Sequence, residues 1–448
     1  MLVAQPGGDS AASRNGATSS SDPTFVITGA GNGHGVGLSQ YGARAQAGAG
    51  WSAADILAFY FPGTQPARKS FRKLRVLVAA TAKSLLISSD SPYVVKDGLG
   101  QPHQLDAGAI TLGPELQVSI AGVPTTLTGP LTFTPSNGAF VSLGSRSYRG
   151  AIEVSSDGAS LQAVDLVGLD AYVQGVVPGE MPSNWPAAAL QAQAIAARSY
   201  ALATLVKGKA WDLYADGRSQ QYLGANAETP ETTAAVKATA RTVLLYGGIV
   251  ATTFYSSSSG GRTQSGLDAF GLDVPYLPSQ DDPWDSGSPY HTWQPRAYTG
   301  RQLAKALGLS AAAVDVTSRF SQSGRVISLS VIARDGSSLA VSGAEARKLM
   351  ALRSTDFHLA TLRFLTPATP TTAGVALRLT GVARDADQPT LERLGPGGTW
   401  TPVVRRLHVD AAGTFATVVR PTQTTTYRLS ASGLAGPVLT IPVVGTQP

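Results

Sequence analysis

The stretch YVQGVVPGEMPSNWPAAALQAQAIAARSYAL, residues 172–202, decides how the rest of the 448-residue chain is read. Tyr172 to Val177 is rich in β-branched and aromatic residues and ends at Pro178-Gly179, which predicts a strand stopped by a turn. Ser183 and Asn184 are capping residues and Pro186 suits a first helical position, so a helix is expected from about Pro186 to Val206. Leu190, Ala194, Ala197, Ala201 and Leu205 recur along it at near-helical spacing, and the alanines between them imply close packing. Gln191, Gln193 and Arg198 are its polar exceptions, and long polar side chains on a tightly packed helix are expected to hydrogen-bond specific partners. Glu180 is thereby set in the turn ahead of the helix. A general explanation exists for a carboxylate there, because the dipole at a helix N-terminus favours negative charge in any protein.

The same stretch resembles the signature of the stage II sporulation protein D / LytB (SpoIID/LytB) family, whose catalytic members are lytic transglycosylases of peptidoglycan. That resemblance implies that Glu180 is the catalytic acid/base. The implied role conflicts with the expected position, since a helix N-terminus lowers a carboxyl pKa and a general acid at neutral pH needs it raised by apolar burial. Met181, Pro182 and Trp185 are the residues expected to supply the apolar wall. Ordinary glycosidases use two carboxyl groups. None accompanies Glu180: the nearest upstream is Asp170, and Asp281-Asp282 is a distant candidate pair. A lytic transglycosylase needs no second carboxylate, because the muramic acid C6 hydroxyl attacks C1 and one residue serves as acid and then as base.

Toward the N-terminus, Thr24 to Thr28 alternates like a short strand and runs into GAGNGHGVGLSQYGA, residues 29–43, where glycines on alternate residues bring backbone close to a neighbour. This block resembles the family's GHGVGMSQYGA motif, and Ala53 to Thr64 resembles the helix and YYPGT element after it. In the better-known sporulation enzymes the block follows the catalytic turn, whereas here it precedes it. The resemblance therefore requires residues 29–43 to fold back beside Glu180, and it implies that His34, Ser39, Gln40 and Tyr41 contact the glycan. A dinucleotide site is not supported, because the glycine spacing and the βαβ context it needs are missing.

Further along, the family pattern breaks. Many members carry an HCQ-like context and a YHSSCGG motif whose cysteines and histidine can hold zinc. Here the corresponding segments read DGRSQQY, residues 216–222, and YSSSSGGRT, residues 255–263. Serine and arginine do not replace thiolates and imidazoles, so neither metal nor other cofactor is expected. A hydrogen-bonded serine cluster is the expected substitute for the metal. By resemblance Gln193, Arg198, Tyr222, Tyr255, Ser256 and Ser259 are assigned to the substrate site. Serine-hydrolase chemistry is not supported, since none of the five histidines lies near the serine run in sequence and no GxSxG elbow is present. Matches also occur at residues 275–285, 342–347 and 352–357, so the resemblance covers about residues 24–365.

Composition fits this reading. The chain has no cysteine, only 14% charged residues, 49 glycines and 28 prolines, which points to many turns and a β-rich body. A net charge of +6 favours an anionic wall polymer or membrane surface as much as nucleic acid, and no nucleic-acid partner is expected. No stretch is apolar for long enough to span a bilayer. No signal peptide is visible, so a secreted or cell-wall-associated location is inferred from the implied substrate.

The expected architecture is α+β: a disordered tail over 1–23, a β-rich SpoIID-like domain over 24–365, a linker over 366–374, and an Ig-like β-sandwich over 375–448. Residues 73–170 read as antiparallel strands, and Val243 to Tyr246 with Gly247-Gly248 as a hairpin after a helix at about Glu231 to Ala240. The resemblance implies glycan strands stripped of stem peptides as substrate. A glycan-binding role without catalysis, or enhancement of a wall hydrolase, is the alternative.

Overall fold

In the computed structural model, which describes residues 22–71 and 73–445, the segment expected to be a strand is helical. Leu169–Glu180 forms one helix. Its buried residues Leu169, Tyr172, Val173, Val176 and Val177 follow a spacing of three and four, so helical periodicity outweighs the β-propensity of the individual residues. Pro178 falls in its last turn, and the helix closes with the Met181 N–H donating to the Val177 carbonyl. Glu180 is therefore the last residue of a helix and not a turn residue ahead of one.

The described chain divides into two compact units, residues 31–291 and residues 22–30 with 292–445. The first unit begins with helices α1 (Gln40–Gly48) and α2 (Ala53–Tyr60), capped by Ser39 and Ser52. Next comes a seven-stranded sheet in the order 213–214, 74–82, 161–167, 151–156, 131–135, 93–96, 102–105. Its pairs are antiparallel as expected, save the short Leu213–Tyr214, which runs parallel to Leu74–Ala82. After the Glu180 helix, α3, come α4 (Ala187–Ala203), α5 (Pro230–Ala238) and α6 (Gly266–Phe270).

Helix α4 starts one residue later than expected, with Pro186 at the cap position and no side chain capping it. Its alanines are buried on several sides, so α1, α2, α3, α5 and the strand Thr242–Tyr246 all pack against it. Each larger apolar side chain closed off in this core, such as Val173 or Leu190, contributes about 1.5–3 kcal/mol. The expected hairpin is present as Thr242–Tyr246 paired with Ile249–Val250.

One buried group in this unit acts against stability. Asp165 lies on the central strand Leu161–Val167 and is fully buried. It accepts a 2.7 Å hydrogen bond from Tyr222 Oη, and its Oδ1 has no partner. Burial pushes its pKa up to about 8, against the Tyr222 hydrogen bond that lowers it. Folded protein thus holds a proton that the unfolded chain has lost above its ordinary carboxyl pKa of about 3.9. Stability should fall as pH rises from that value to about 8 and level off beyond it. Asp165→Asn should remove this slope, raising the melting temperature at pH 8 by several degrees with little gain at pH 4; equal shifts at both would refute the assignment.

In the second unit, the sheet order is 296–299, 24–29, 357–364, 377–384, 414–419. A four-stranded sheet runs 400–404, 390–394, 425–431, 434–441. Leu362, Phe364, Leu379 and Phe415 of the first sheet share a core with Leu391, Leu429, Leu439 and Ile441 of the second. On the same unit, α7 (Gly300–Leu307), α8 (Gly343–Leu349) and the sheet of 313–320, 326–333 and 338–342 cluster with Phe25, Ile27, Phe357 and Leu359.

The architecture is thus α+β and β-rich. The two-sheet packing does not begin at 375, because Thr24–Gly29 and Phe357–Phe364 are strands of it. Nor is 366–374 a plain linker, since Thr371–Thr372 pairs in parallel with Val443–Val444. Hydrogen bonding across the expected boundary, not composition, sets the unit. The tail expected over 1–23 lies outside the described residues except for Asp22 and Pro23. Among the described residues no helix is long and apolar enough to cross a membrane.

Candidate active site

Glycines at positive φ let the N-terminal block approach the rest of its unit closely. A Cβ on Gly37, at φ 70°, would lie 2.3 Å from the Phe254 carbonyl oxygen, and one on Gly33, at φ 104°, 2.7 Å from Ser256 Cβ. The approach lets Leu38–Ser39 pair in parallel with Tyr255–Ser256. It also brings His34 to the pocket that holds Glu180. This pocket, of about 370 Å³, is lined by His34, Glu180, Tyr200, Gly217, Ser219, Gln220, Gln221, Phe254, Tyr255 and Phe270. Glu180 is the one carboxylate among these lining residues.

Glu180 is half-buried, and its Oε1 accepts the Gln221 backbone N–H at 3.0 Å. Burial raises its pKa above the ordinary glutamate value, outweighing the Gln221 hydrogen bond that lowers it. The negative end of the α3 dipole acts in the same direction as burial, opposite to the effect expected of a helix N-terminus. Aromatic side chains form the wall: Tyr200, Phe254, Tyr255 and Phe270. Met181, Pro182 and Trp185 do not line the pocket, and Trp185 packs instead on Tyr41 and under the Arg44 guanidinium.

His34 sits edge-on to Phe254 and Phe270, with ring centroids 5.7 and 5.3 Å away. Its Nδ1 accepts the Val36 N–H at 3.0 Å, so in the neutral ring Nε2 carries the proton.

Of the residues expected at the substrate site, Glu180, His34 and Tyr255 line the pocket. The others are placed elsewhere, and their burial gives the reason. Ser39 caps α1 and donates to Asp285 at 3.0 Å. Gln40 is buried behind the pocket, where its amide reaches the Glu180 carboxyl and donates to Gln193 Oε1 at 3.4 Å. Gln193 is fully buried away from the pocket lining, its Oε1 accepting from Gln40. Tyr41 packs edge-on between Trp185 and Tyr290.

Arg198 is fully buried, paired with Asp170 at 2.8 Å and donating to the Ala194 and Thr242 carbonyls, which ties α4 to α3. Tyr222 is buried on Asp165. Ser256 Oγ accepts the Gly35 N–H, and Ser259 Oγ donates to Asp282 at 2.8 Å. Asp281 and Asp282 supply no second acid: Asp281 is exposed against Arg262, and Asp282 is buried against Tyr60 and Ser259. Tyr200, Ser219, Gln220, Gln221, Phe254 and Phe270 escaped the sequence reading. Gln220 and Gln221 stand in the segment where the family pattern breaks, which was the available signal.

The serines of 256–259 do not form a metal site. The hydroxyls of Ser256, Ser258 and Ser259 are spent on carboxylates and backbone, and no group of three or more His, Cys, Asp or Glu among the described residues is placed to hold an ion. Serine and arginine at the positions where the resemblance implies zinc ligands offer neither thiolate nor imidazole, so this donor set does not fit zinc.

A carboxyl group raised in pKa within an aromatic pocket, alone of its kind there, defines a single-acid site. The family model described as stage II sporulation protein matches residues 157–246, which places a SpoIID domain in that part of the chain. Stage II sporulation protein D of Bacillus subtilis is 28% identical over 218 residues, 44% of this chain and 62% of that protein. An amidase enhancer of Bacillus subtilis is 36% identical over 113 residues, 25% of this chain and 15% of the relative. An uncharacterized protein of Brachyspira hyodysenteriae is 32% identical over 155 residues, 32% of this chain and 42% of the relative. The chain thus spans less than two thirds of each of these relatives. No solved structure matches it.

Proposed function

We propose that this protein is a peptidoglycan lytic transglycosylase that cleaves the MurNAc–GlcNAc bond of peptide-stripped glycan strands, leaving 1,6-anhydroMurNAc ends. The observation that carries the reading is Glu180 as the one carboxylate lining an aromatic pocket, with burial raising its pKa.

The neutral Glu180 carboxyl donates its proton to the glycosidic oxygen as the bond from MurNAc C1 breaks. The resulting carboxylate then takes the proton of the C6 hydroxyl as O6 bonds to C1. One proton leaves Glu180 and one returns, and no water is consumed. The aromatic wall of Phe254, Phe270 and Tyr200 offers faces for the sugar ring and excludes water, while His34 Nε2–H is a donor on the same wall. The acid form should persist to higher pH than for an exposed glutamate, so turnover should decline only as pH rises through the elevated pKa. A profile that declines at the ordinary glutamate value would contradict the burial assigned to this group.

The reading implies a secreted or wall-associated location. A second reading, a glycan-binding enhancer of a wall hydrolase, is favoured by the similarity to the amidase enhancer. Mass spectrometry of denuded glycan strands after incubation separates the two. Anhydro-ended fragments support the lyase; reducing ends mean hydrolysis; intact strands that co-sediment with the protein support the enhancer.

A further inference from the structure

We propose that the second unit carries a sugar-binding site over strands Leu377–Arg384 and Thr414–Val419, and that its ligand is the lactyl carboxylate of a MurNAc residue whose stem peptide has been removed. The inference rests on the reading of the substrate under the proposed function and adds a second place at which the chain holds it.

The site follows from the register of the two strands. Side chains alternate across a sheet, and the antiparallel pairing sets Arg378 opposite Val418 and Thr380 opposite Ala416, so these four share one face. Leu379 turns to the other face, into the core between the two sheets. Ala416 carries only a methyl, and it lines a cavity of about 370 Å³ together with Arg378, Leu365, His408 and Asp410. That volume lies within the roughly 300–1,000 Å³ of small-ligand sites.

The polar groups left for a ligand in this cavity are donors. Arg378 is exposed, and the ion pairs of this unit among the described residues engage Arg325, Arg334, Arg384 and Arg428 instead. Its planar guanidinium matches a carboxylate with two parallel N–H bonds. The His408 ring offers an N–H in either protonation state. Asp410 is the one carboxylate among the lining residues, and it is turned to its own loop. Its Oδ1 accepts the Ala412 and Thr414 backbone N–H groups at 3.0 and 2.8 Å, and its Oδ2 accepts Thr414 Oγ1 at 2.6 Å. The charge of this part of the chain agrees, since residues 375–448 hold seven arginines against four acidic residues. Leu365, half-exposed, adds an apolar surface to the same cavity.

A muramic residue without its peptide presents that combination. Its lactyl group bears a carboxylate and a methyl on one carbon, the first suited to Arg378 and the second to Leu365. A residue that keeps its peptide has an uncharged amide in place of the carboxylate, and GlcNAc has no lactyl group. The site therefore selects stripped strands by their charge.

The test is methyl NMR on leucine-labelled full-length protein, with the Leu365 signal assigned by its loss in Leu365→Met. Titration with N-acetylmuramic acid should shift that signal to saturation, whereas N-acetylglucosamine should leave it in place. Arg378→Gln should weaken the N-acetylmuramic acid response by about tenfold or more, because a charge-assisted pair is lost. His408→Gln should weaken it in the same direction, and both side chains are exposed, so the fold should tolerate either change. A Leu365 signal that does not move, an equal response to N-acetylglucosamine, or an unchanged response in Arg378→Gln overturns the site. Inorganic phosphate acting as well as N-acetylmuramic acid overturns the lactyl assignment and makes this a site for a phosphate-bearing polymer. The titration involves no turnover. A wild type that releases no anhydro products but binds N-acetylmuramic acid here would sink the proposed activity alone, and the converse would sink this site alone.

Discussion

Glu180→Gln should reduce release of anhydro-ended products by about 10³-fold or more, because in the proposed reaction one side chain supplies both the acid and the base and an amide can do neither. Glutamine has the shape of the protonated glutamate, and its amide oxygen can still accept the Gln221 N–H that Oε1 accepts at 3.0 Å. Stability should therefore change by no more than about 0.5 kcal/mol, and glycan binding should survive. Product quantification, co-sedimentation with denuded strands and a melting curve on the same preparations check the three parts. Turnover equal to wild type would remove Glu180 from the mechanism. Loss of turnover together with a collapsed melting transition would instead make it a structural residue.

The sequence singled out Glu180 but misread the element that carries it. Tyr172 to Val177 contains the residues of a strand, and only the burial of positions 169, 172, 173, 176 and 177 along one helical face reveals α3. That error placed Glu180 at the wrong end of a helix and created a pKa conflict that the fold does not contain. The glycine block was legible for the opposite reason: close backbone approach is a local demand that glycine meets by itself, though the return of His34 to the Glu180 region was implied by the family resemblance and not by the glycines.

The aromatic wall was not legible, because Tyr200, Phe254 and Phe270 come from α4, a loop and α6, and nothing in their local sequence marks a shared pocket. Polar residues near the motif, such as Arg198 and Tyr222, read as ligand contacts until burial showed them spent on Asp170 and Asp165. The domain boundary failed similarly, since a Pro/Thr segment looks like a linker whether or not strands on either side of it pair.

Asp285→Ala should destabilise the protein by about 3–5 kcal/mol, which is the cost of leaving several buried donors without their acceptor. Asp285 is fully buried and accepts from Ser39 Oγ at 3.0 Å, Ser258 Oγ at 2.9 Å, and the Ser259 and Gly260 backbone N–H groups at 3.1 Å each. His291 Nδ1 also lies 3.2 Å from its Oδ2. Asp282 nearby takes Ser259 Oγ and the Tyr60 hydroxyl, and burial raises its pKa to about 6. The two carboxyl groups thereby fasten the α1 N-terminus to the serine segment that follows Tyr255. Ser258→Ala removes one donor and not the acceptor, so it should cost only about 1 kcal/mol. Denaturant unfolding of the two variants checks the ratio, and equal small losses would show that Asp285 is not the centre of the clamp. Because the clamp uses carboxylates and hydroxyls in place of an ion, a chelator should leave the wild-type melting temperature unchanged; a drop on chelation would reveal a metal that this donor set does not predict. Activity should fall with the clamp, since Tyr255 and His34 are held on the segments it joins.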